Sequence, residues 1–179
     1  IGASRLDEAQ RRRRPFGVRA PEGGDAPGEP TTLRVLPGPE AEQSLQPSRR
    51  LLHAEDWRIT PQSNRMGSRL AGPELKRKKG STDMLSAGVV PGTVQVPPSG
   101  QPIILLGDAQ TTGGYPRIAV VIRADLWKLA QAPLGGLLRL VEVDEQSARQ
   151  AWDARQRYLA QVAQGLALLN WPGEHDHGN

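Results

Sequence analysis

Apolar residues fall in short runs separated by turn residues along most of the chain, and the period changes only near its end. Residues 33–36 are an apolar run closed by Pro37-Gly38-Pro39, the pattern of a strand stopped by a turn. Residues 40–54 are expected to be helical, with Pro47 as an interruption. Residues 57–60 and 68–71 are the next strands, bounded by Pro61 and by Gly72-Pro73, and 74–87 reads as a long polar loop. Residues 93–96 and 103–106 flank Pro97-Pro98-Ser99-Gly100-Gln101-Pro102 and predict a hairpin with an extended loop. Its first arm should be half-buried, and its second, continuously apolar, covered on both faces. Residues 107–116 read as a polar loop, 118–122 as a strand, and 137–143 as the final strand. Asp125 is placed to cap a short helix through Ala130. Residues 145–169 switch to a helical period, with Trp152, Leu159, Val162, Leu166 and Leu169 on one stripe and Pro172-Gly173 as the stop.

Composition adds that not every residue joins the core. Gly and Pro total 36 of 179 residues (20 plus 16), and aromatics are only 4%. No apolar run approaches the roughly 18 residues of a membrane span. With no Cys, a disulfide scaffold, a thiolate zinc site and a cysteine nucleophile are excluded. The net charge of +4 is uneven: residues 1–80 hold 16 Lys and Arg against 10 Asp and Glu, and residues 81–179 hold 7 against 9. The excess lies in the basic runs 11–14 and 76–79, and the first 50 residues carry a single aromatic, Phe16. That pattern predicts solvated charge rather than a nucleic-acid surface with stacking aromatics. The opening at Ile1 suggests a cut-out or truncated reading frame, and it shows no signal-peptide pattern. The expected organisation is a loose leader over 1–32, a domain over 33–143, a helix over 144–170 and a polar tail over 171–179. The expected location is the cytoplasm, with no membrane partner.

Few residues offer chemistry. His53 is expected at the surface, and His175 and His177 lie in the tail, so a Ser-His-Asp triad and a metal site are not predicted. No Gly-x-x-x-x-Gly-Lys loop is present. Two polar clusters remain. In Pro61-Gln62-Ser63-Asn64-Arg65-Met66-Gly67, Arg65 is either a fork of donors for a carboxylate or phosphate, or a turn residue paired with a surface acid. Gly107-Asp108-Ala109-Gln110-Thr111-Thr112-Gly113-Gly114-Tyr115 sets a carboxylate, an amide, hydroxyls, glycines and a phenol between two strands. Successive amides at Gly113-Gly114 suit an anion nest, and Asp108 suits a base or orienter. The alternative is a connecting loop capped by its own hydroxyls.

The 35-residue stretch from Gly88 to Ile122, with Leu33-Arg-Val-Leu-Pro-Gly-Pro39 and the segment from Ile59 to Pro73, resembles the allophanate hydrolase subunit 2 family. This family is also called the biotin-dependent carboxyltransferase family. The pattern is most similar to its 5-oxoprolinase branch, the C subunit of that enzyme, matched over the C-terminal half only. The resemblance implies a mainly β fold: a cyclophilin-like closed antiparallel barrel with a few helices, to which the periodicity adds a C-terminal amphipathic helix. Residues 40–54 depart from the pattern, as does Ala109, where an Arg is more usual.

The resemblance also implies a non-autonomous part of an ATP-dependent enzyme that opens 5-oxoproline to glutamate. Its implied partners are a sister cyclophilin-like subunit and a third, unlike subunit, with ATP bound by the assembled complex. On the matching positions, Arg65 is the expected clamp for the substrate carboxylate, and Asn64, Gln95 and Gln110 the hydrogen-bonding groups. Asp108 is the expected base or orienter, Thr111, Thr112, Gly113 and Gly114 the anion nest, and Tyr115 a cover. The alternatives from the same resemblance are a biotin-dependent carboxyltransferase of the urea carboxylase or allophanate type, and a non-catalytic partner of a kinase-inhibitor sister protein.

Overall fold

The computed structural model describes residues 28–78 and 85–168. Nine strands occur among them: β1 (Thr31–Pro37), β2 (Asp56–Ile59), β3 (Gly67–Ala71), β4 (Ala87–Gly88), β5 (Thr93–Gln95), β6 (Ile103–Leu105), β7 (Thr112–Gly113), β8 (Arg117–Val121) and β9 (Leu137–Glu142). Seven of them close a barrel in the order β1-β8-β5-β6-β3-β2-β9, while β4 and β7 pair separately. The mainly β closed barrel is thus the fold, with one qualification. β1 runs parallel to β9, Leu33 opposite Leu140, and the other pairs in the barrel are antiparallel.

The inward residues of these strands fill the barrel. Leu33, Val35, Trp57, Val94, Ile104, Leu138 and Leu140 are fully buried. Trp57 donates its indole N–H to the Leu52 carbonyl at 3.1 Å, so the buried ring keeps its polar group satisfied.

Local details correct several expectations. Pro47 begins α1 (Gln46–Ala54) rather than interrupting a helix, because a proline in the first turn lacks only an N–H that has no intrahelical partner. A short 3-10 turn, Ala41–Gln43, precedes it. His53 is not a free surface side chain: its Nδ1 lies 3.2 Å from the Leu140 carbonyl and its Nε2 3.2 Å from Glu142. Residues 93–95 are all buried, not alternately, because a bulge between Val94 and Gln95 breaks the two-residue period. Residues 107–116 are not wholly loop, since Thr112–Gly113 pairs with Ala87–Gly88.

Asp125 precedes α2 (Leu126–Gln131) but makes no capping bond. Its carboxylate turns instead to Arg34 on β1, accepting the backbone N–H and Nε at 2.9 Å and Nη2 at 2.6 Å. Burial pushes the Asp125 carboxyl up, but the hydrogen bonds from Arg34 and the charge of Lys128, 3.9 Å away, carry it below its ordinary value.

Of the described residues, 28–156 fall in one compact unit and 157–168 in another. The helix α3 (Glu145–Leu168) is described for both. In the first unit Asp144 caps it through a 2.7 Å bond to the Ser147 N–H. Two reciprocal cation–π contacts also hold it there: Arg123 lies 4.4 Å over the Trp152 ring, and Arg155 lies 5.6 Å from the Trp127 ring. In the second unit only 157–168 is described. Leu159 and Leu166 of the expected stripe are exposed there and Val162 is half-buried. Leu169, Pro172-Gly173, the histidine tail, the basic run 11–14 and Lys79 lie outside the described residues. Among the described residues no helix is long and apolar enough to cross a membrane.

Replacing Arg34 by Met strips the buried Asp125 carboxylate of its two guanidinium bonds and leaves it the backbone N–H of residue 34 and the charge of Lys128. The expected loss in urea unfolding at neutral pH is about 1.5–3 kcal/mol. Because the folded value for Asp125 is depressed, its contribution is complete above the unfolded value of about 4 and is lost as pH falls through the folded one. Asp125→Asn should therefore flatten the acid limb of the stability profile, measured by unfolding between pH 2 and 7 (about 2 to 7 covers the transition).

Candidate functional site

Strand register brings the two polar clusters to one end of the barrel. Gly67 at the start of β3 pairs with Leu105 at the end of β6. The residues before Gly67 and after Leu105 must therefore emerge side by side. Leu106 N–H donates to the Met66 carbonyl at 3.0 Å, and Arg65 Nε lies 3.2 Å from Asp108 Oδ2. Both side chains face solvent, Arg65 86% exposed and Asp108 57%. The contact uses only Nε, so the Arg65 Nη groups stay open to an incoming anion.

The turn before Gly67 is built by its own polar atoms. Asn64 Oδ1 accepts the Met66 N–H at 2.9 Å, and Asn64 and Gly67 exchange backbone bonds at 3.1 Å. Ser63 Oγ accepts the Arg69 N–H at 2.9 Å. Asn64 is thus committed partly to holding Arg65 in place. Gln110, Thr111 and Thr112 line the loop without burial, and the Tyr115 ring is 41% exposed.

Gln95 sits beneath the loop rather than on its surface. It is 4% exposed and donates Nε2 to the Tyr115 carbonyl at 3.3 Å. Gly113 rests directly on it: a Cβ at 113 would lie 2.5 Å from Gln95 Nε2. Only a glycine lets the backbone approach so closely. The Val89 N–H donates to the Thr111 carbonyl at 2.9 Å, continuing the β4–β7 pair.

Two residues beside the loop were not legible as part of it. Arg117, at the loop's exit, donates Nε to Glu40 Oε2 at 2.8 Å and Nη2 to Oε1 at 2.6 Å. Its backbone N–H adds a 3.0 Å bond to Oε2, and its Nη1 reaches the Gly88 carbonyl at 2.7 Å. Glu40 is only 8% exposed, and these bonds hold its carboxyl below its ordinary value despite burial. Gly38 permits the approach, since a Cβ there would sit 2.1 Å from the Arg117 carbonyl oxygen. The one sequence hint is an acid and a base each next to a proline turn, Pro39-Glu40 and Pro116-Arg117.

With Arg65 facing Asp108 and Arg117 spent on Glu40 and Gly88, the described cluster offers few charges for a triphosphate. It does not fit ATP, and it fits a smaller, singly charged anion better. Two open grooves, of about 520 and 470 Å3, lie away from the cluster, along Leu36, Glu142 and the first turns of α3.

Residues 4–142 match the family model described as carboxyltransferase domain, subdomain A and B. The chain belongs to this carboxyltransferase family. The match begins upstream of residue 33, where the resemblance in the sequence was first legible. Over 131 residues the chain is 48% identical to the C subunit of 5-oxoprolinase from Escherichia coli, covering 73% of the chain and 42% of that protein. It is 31% identical over 124 residues to a urea amidolyase of Lachancea kluyveri, covering 63% of the chain and 6% of the relative. In fold it is similar to the Kluyveromyces lactis urea amidolyase, with a TM-score of 0.66 at 24% identity over 70% of the chain and 8% of that protein. The chain spans less than half the length of the 5-oxoprolinase relative it matches.

Gly113→Ala should displace Gln95 and break its bond to Tyr115. The expected cost is about 1–3 kcal/mol in thermal or urea unfolding. In the double variant with Gln95→Ala, the combined cost should fall short of the sum of the two single costs by about 0.5 kcal/mol or more, because the clash is removed.

Proposed function

We propose that this chain supplies the substrate-carboxylate clamp and the oxyanion donors of an ATP-dependent 5-oxoprolinase, working with sister subunits. The 48% identity to the C subunit of a 5-oxoprolinase carries this reading. The Arg65–Asp108 pair at 3.2 Å gives it a geometry. In this reading the partners are a sister cyclophilin-like subunit and a third, unlike one, and ATP is held in the assembly outside the described cluster. The assembly is expected in the cytoplasm.

5-Oxoproline has a carboxylate and a lactam. The Nη groups of Arg65 take the carboxylate through charge-assisted bonds, while Asp108 holds the guanidinium in orientation. The lactam carbonyl then points toward the Gly114 N–H and the Thr111 and Thr112 hydroxyls, because the Gly113 N–H is taken up by the β4–β7 pair. Those donors stabilise the oxyanion as the carbonyl carbon becomes tetrahedral. Overall, the ring C–N bond breaks, water's hydroxyl joins the carbonyl carbon, and a proton goes to nitrogen; hydrolysis of ATP to ADP and phosphate elsewhere in the assembly would supply the drive for this opening. In this reading Asp108 accepts a proton from the attacking water. Thr111, Thr112 and Gln110 line the exposed side, and Tyr115 covers the bound ring. Asn64 shapes the exposed Arg65 turn, and Gln95 supports Gly113 from beneath. A site this open needs a second body to exclude water, which the sister subunits provide.

A second reading, a biotin-dependent carboxyltransferase of the urea carboxylase or allophanate type, is favoured by the family model and the urea amidolyase relative. It predicts that avidin inhibits the assembled enzyme, which the oxoprolinase reading does not.

Mixed with its sister subunits, the chain should support ATP-dependent conversion of 5-oxoproline to glutamate, and omitting it should abolish turnover. Arg65→Ala should raise KM about tenfold or more, equivalent to one charge-assisted bond. An unchanged KM in the assembled enzyme would show that Arg65 is not the clamp.

A further inference from the structure

We propose that Arg117 is a positioning residue, which fixes the strand bearing Thr111 to Gly114 by donating Nη1 to the Gly88 carbonyl. This rests on the oxoprolinase reading and adds to it a residue that does not touch substrate.

The β4–β7 ribbon has two residues on each side. So short a ribbon does not hold its own geometry and takes its position from whatever tethers it. The tether is specific. Glu40 takes Nε and Nη2 of Arg117 and also its backbone N–H, so the guanidinium plane cannot turn. Nη1 is the remaining edge of the fork, and it meets the Gly88 carbonyl at 2.7 Å. Gly88 stands opposite Thr112 in the ribbon, and the next residue, Val89, donates to Thr111. The path from Glu40 through Arg117 and Gly88 thus ends on the backbone that carries the proposed oxyanion donors. A lysine keeps the charge but has no planar fork, so it cannot serve Glu40 twice and Gly88 as well.

Arg117→Lys in the full chain is therefore expected to speed hydrogen exchange of the Val89 amide about tenfold or more relative to amides of the β3–β6 pair, such as Leu70 and Ile104, which does not border β1. In the assembled enzyme kcat should fall about tenfold while KM for 5-oxoproline changes little, because the Arg65 clamp is untouched. Glu40→Gln, which weakens the hold on the guanidinium without removing Arg117, should shift both readouts in the same direction by less. Val89 exchange that stays unchanged, or that rises only in step with the β3–β6 amides, overturns the tether. Selective loosening at Val89 with unchanged kcat overturns the positioning role. If the wild-type assembly does not turn over 5-oxoproline, the oxoprolinase reading fails and the positioning role in that reaction fails with it. The exchange measurement alone then decides whether Arg117 tethers the ribbon.

Discussion

Closure of the barrel on β1 is the constraint from which the rest follows. β1 lies between β8 and β9, antiparallel to one and parallel to the other. Without it the six remaining strands would form a sheet with two open edges, each a row of unpaired backbone groups. Two carboxylate–guanidinium clusters secure this strand. Arg34 within β1 holds Asp125 just beyond β8, and Glu40 just beyond β1 holds Arg117 at the start of β8. Each contact is short and multiply bonded, and in each the carboxylate is buried while the guanidinium keeps part of its surface in water.

The same closure places the chemistry. β8 is the exit of the loop from 107 to 116, so fixing β8 against β1 fixes where that loop ends. The β3–β6 pair fixes where it begins, beside the Arg65 turn. Between those anchors, Gln95 supports Gly113 from below and Arg117 holds the small ribbon from the side. The arrangement divides labour: exposed groups that can meet a ligand stand on buried groups that cannot. In the proposed reaction that division separates binding of the substrate carboxylate from stabilisation of the developing oxyanion.

Much of the barrel was legible from local pattern. The runs at 33–36, 57–60, 103–106, 118–122 and 137–143 alternate or stay apolar and stop at Pro or Gly or at a charged residue, and each lies on a strand. What escaped depends on contacts distant in sequence. Asp125 looks like a helix cap because its neighbours are helical, but its partner Arg34 is 91 residues away. Glu40 and Arg117 are 77 residues apart, and no local period links them. The bulge at Val94 and Gln95 and the two-residue strands β4 and β7 are too short to leave a periodic trace. Parallel pairing of β1 with β9 follows from closing the sheet rather than from any single segment. Of the site, the residue types and their two clusters were visible, and the family resemblance located them. Their meeting needed the register of Gly67 with Leu105, and the support from Gln95 needed the bulge.

The most direct test of the account compares two lactams in the assembled enzyme: 5-oxoproline and 2-pyrrolidinone, which has the same ring without the carboxylate. The ratio of their kcat/KM values measures what recognition of the carboxylate contributes to the transition state. The account predicts a strong preference for 5-oxoproline in the wild type that largely disappears in Arg65→Ala, with the rate on 2-pyrrolidinone nearly unchanged. A preference that survives the loss of Arg65 would place carboxylate recognition elsewhere and contradict the account.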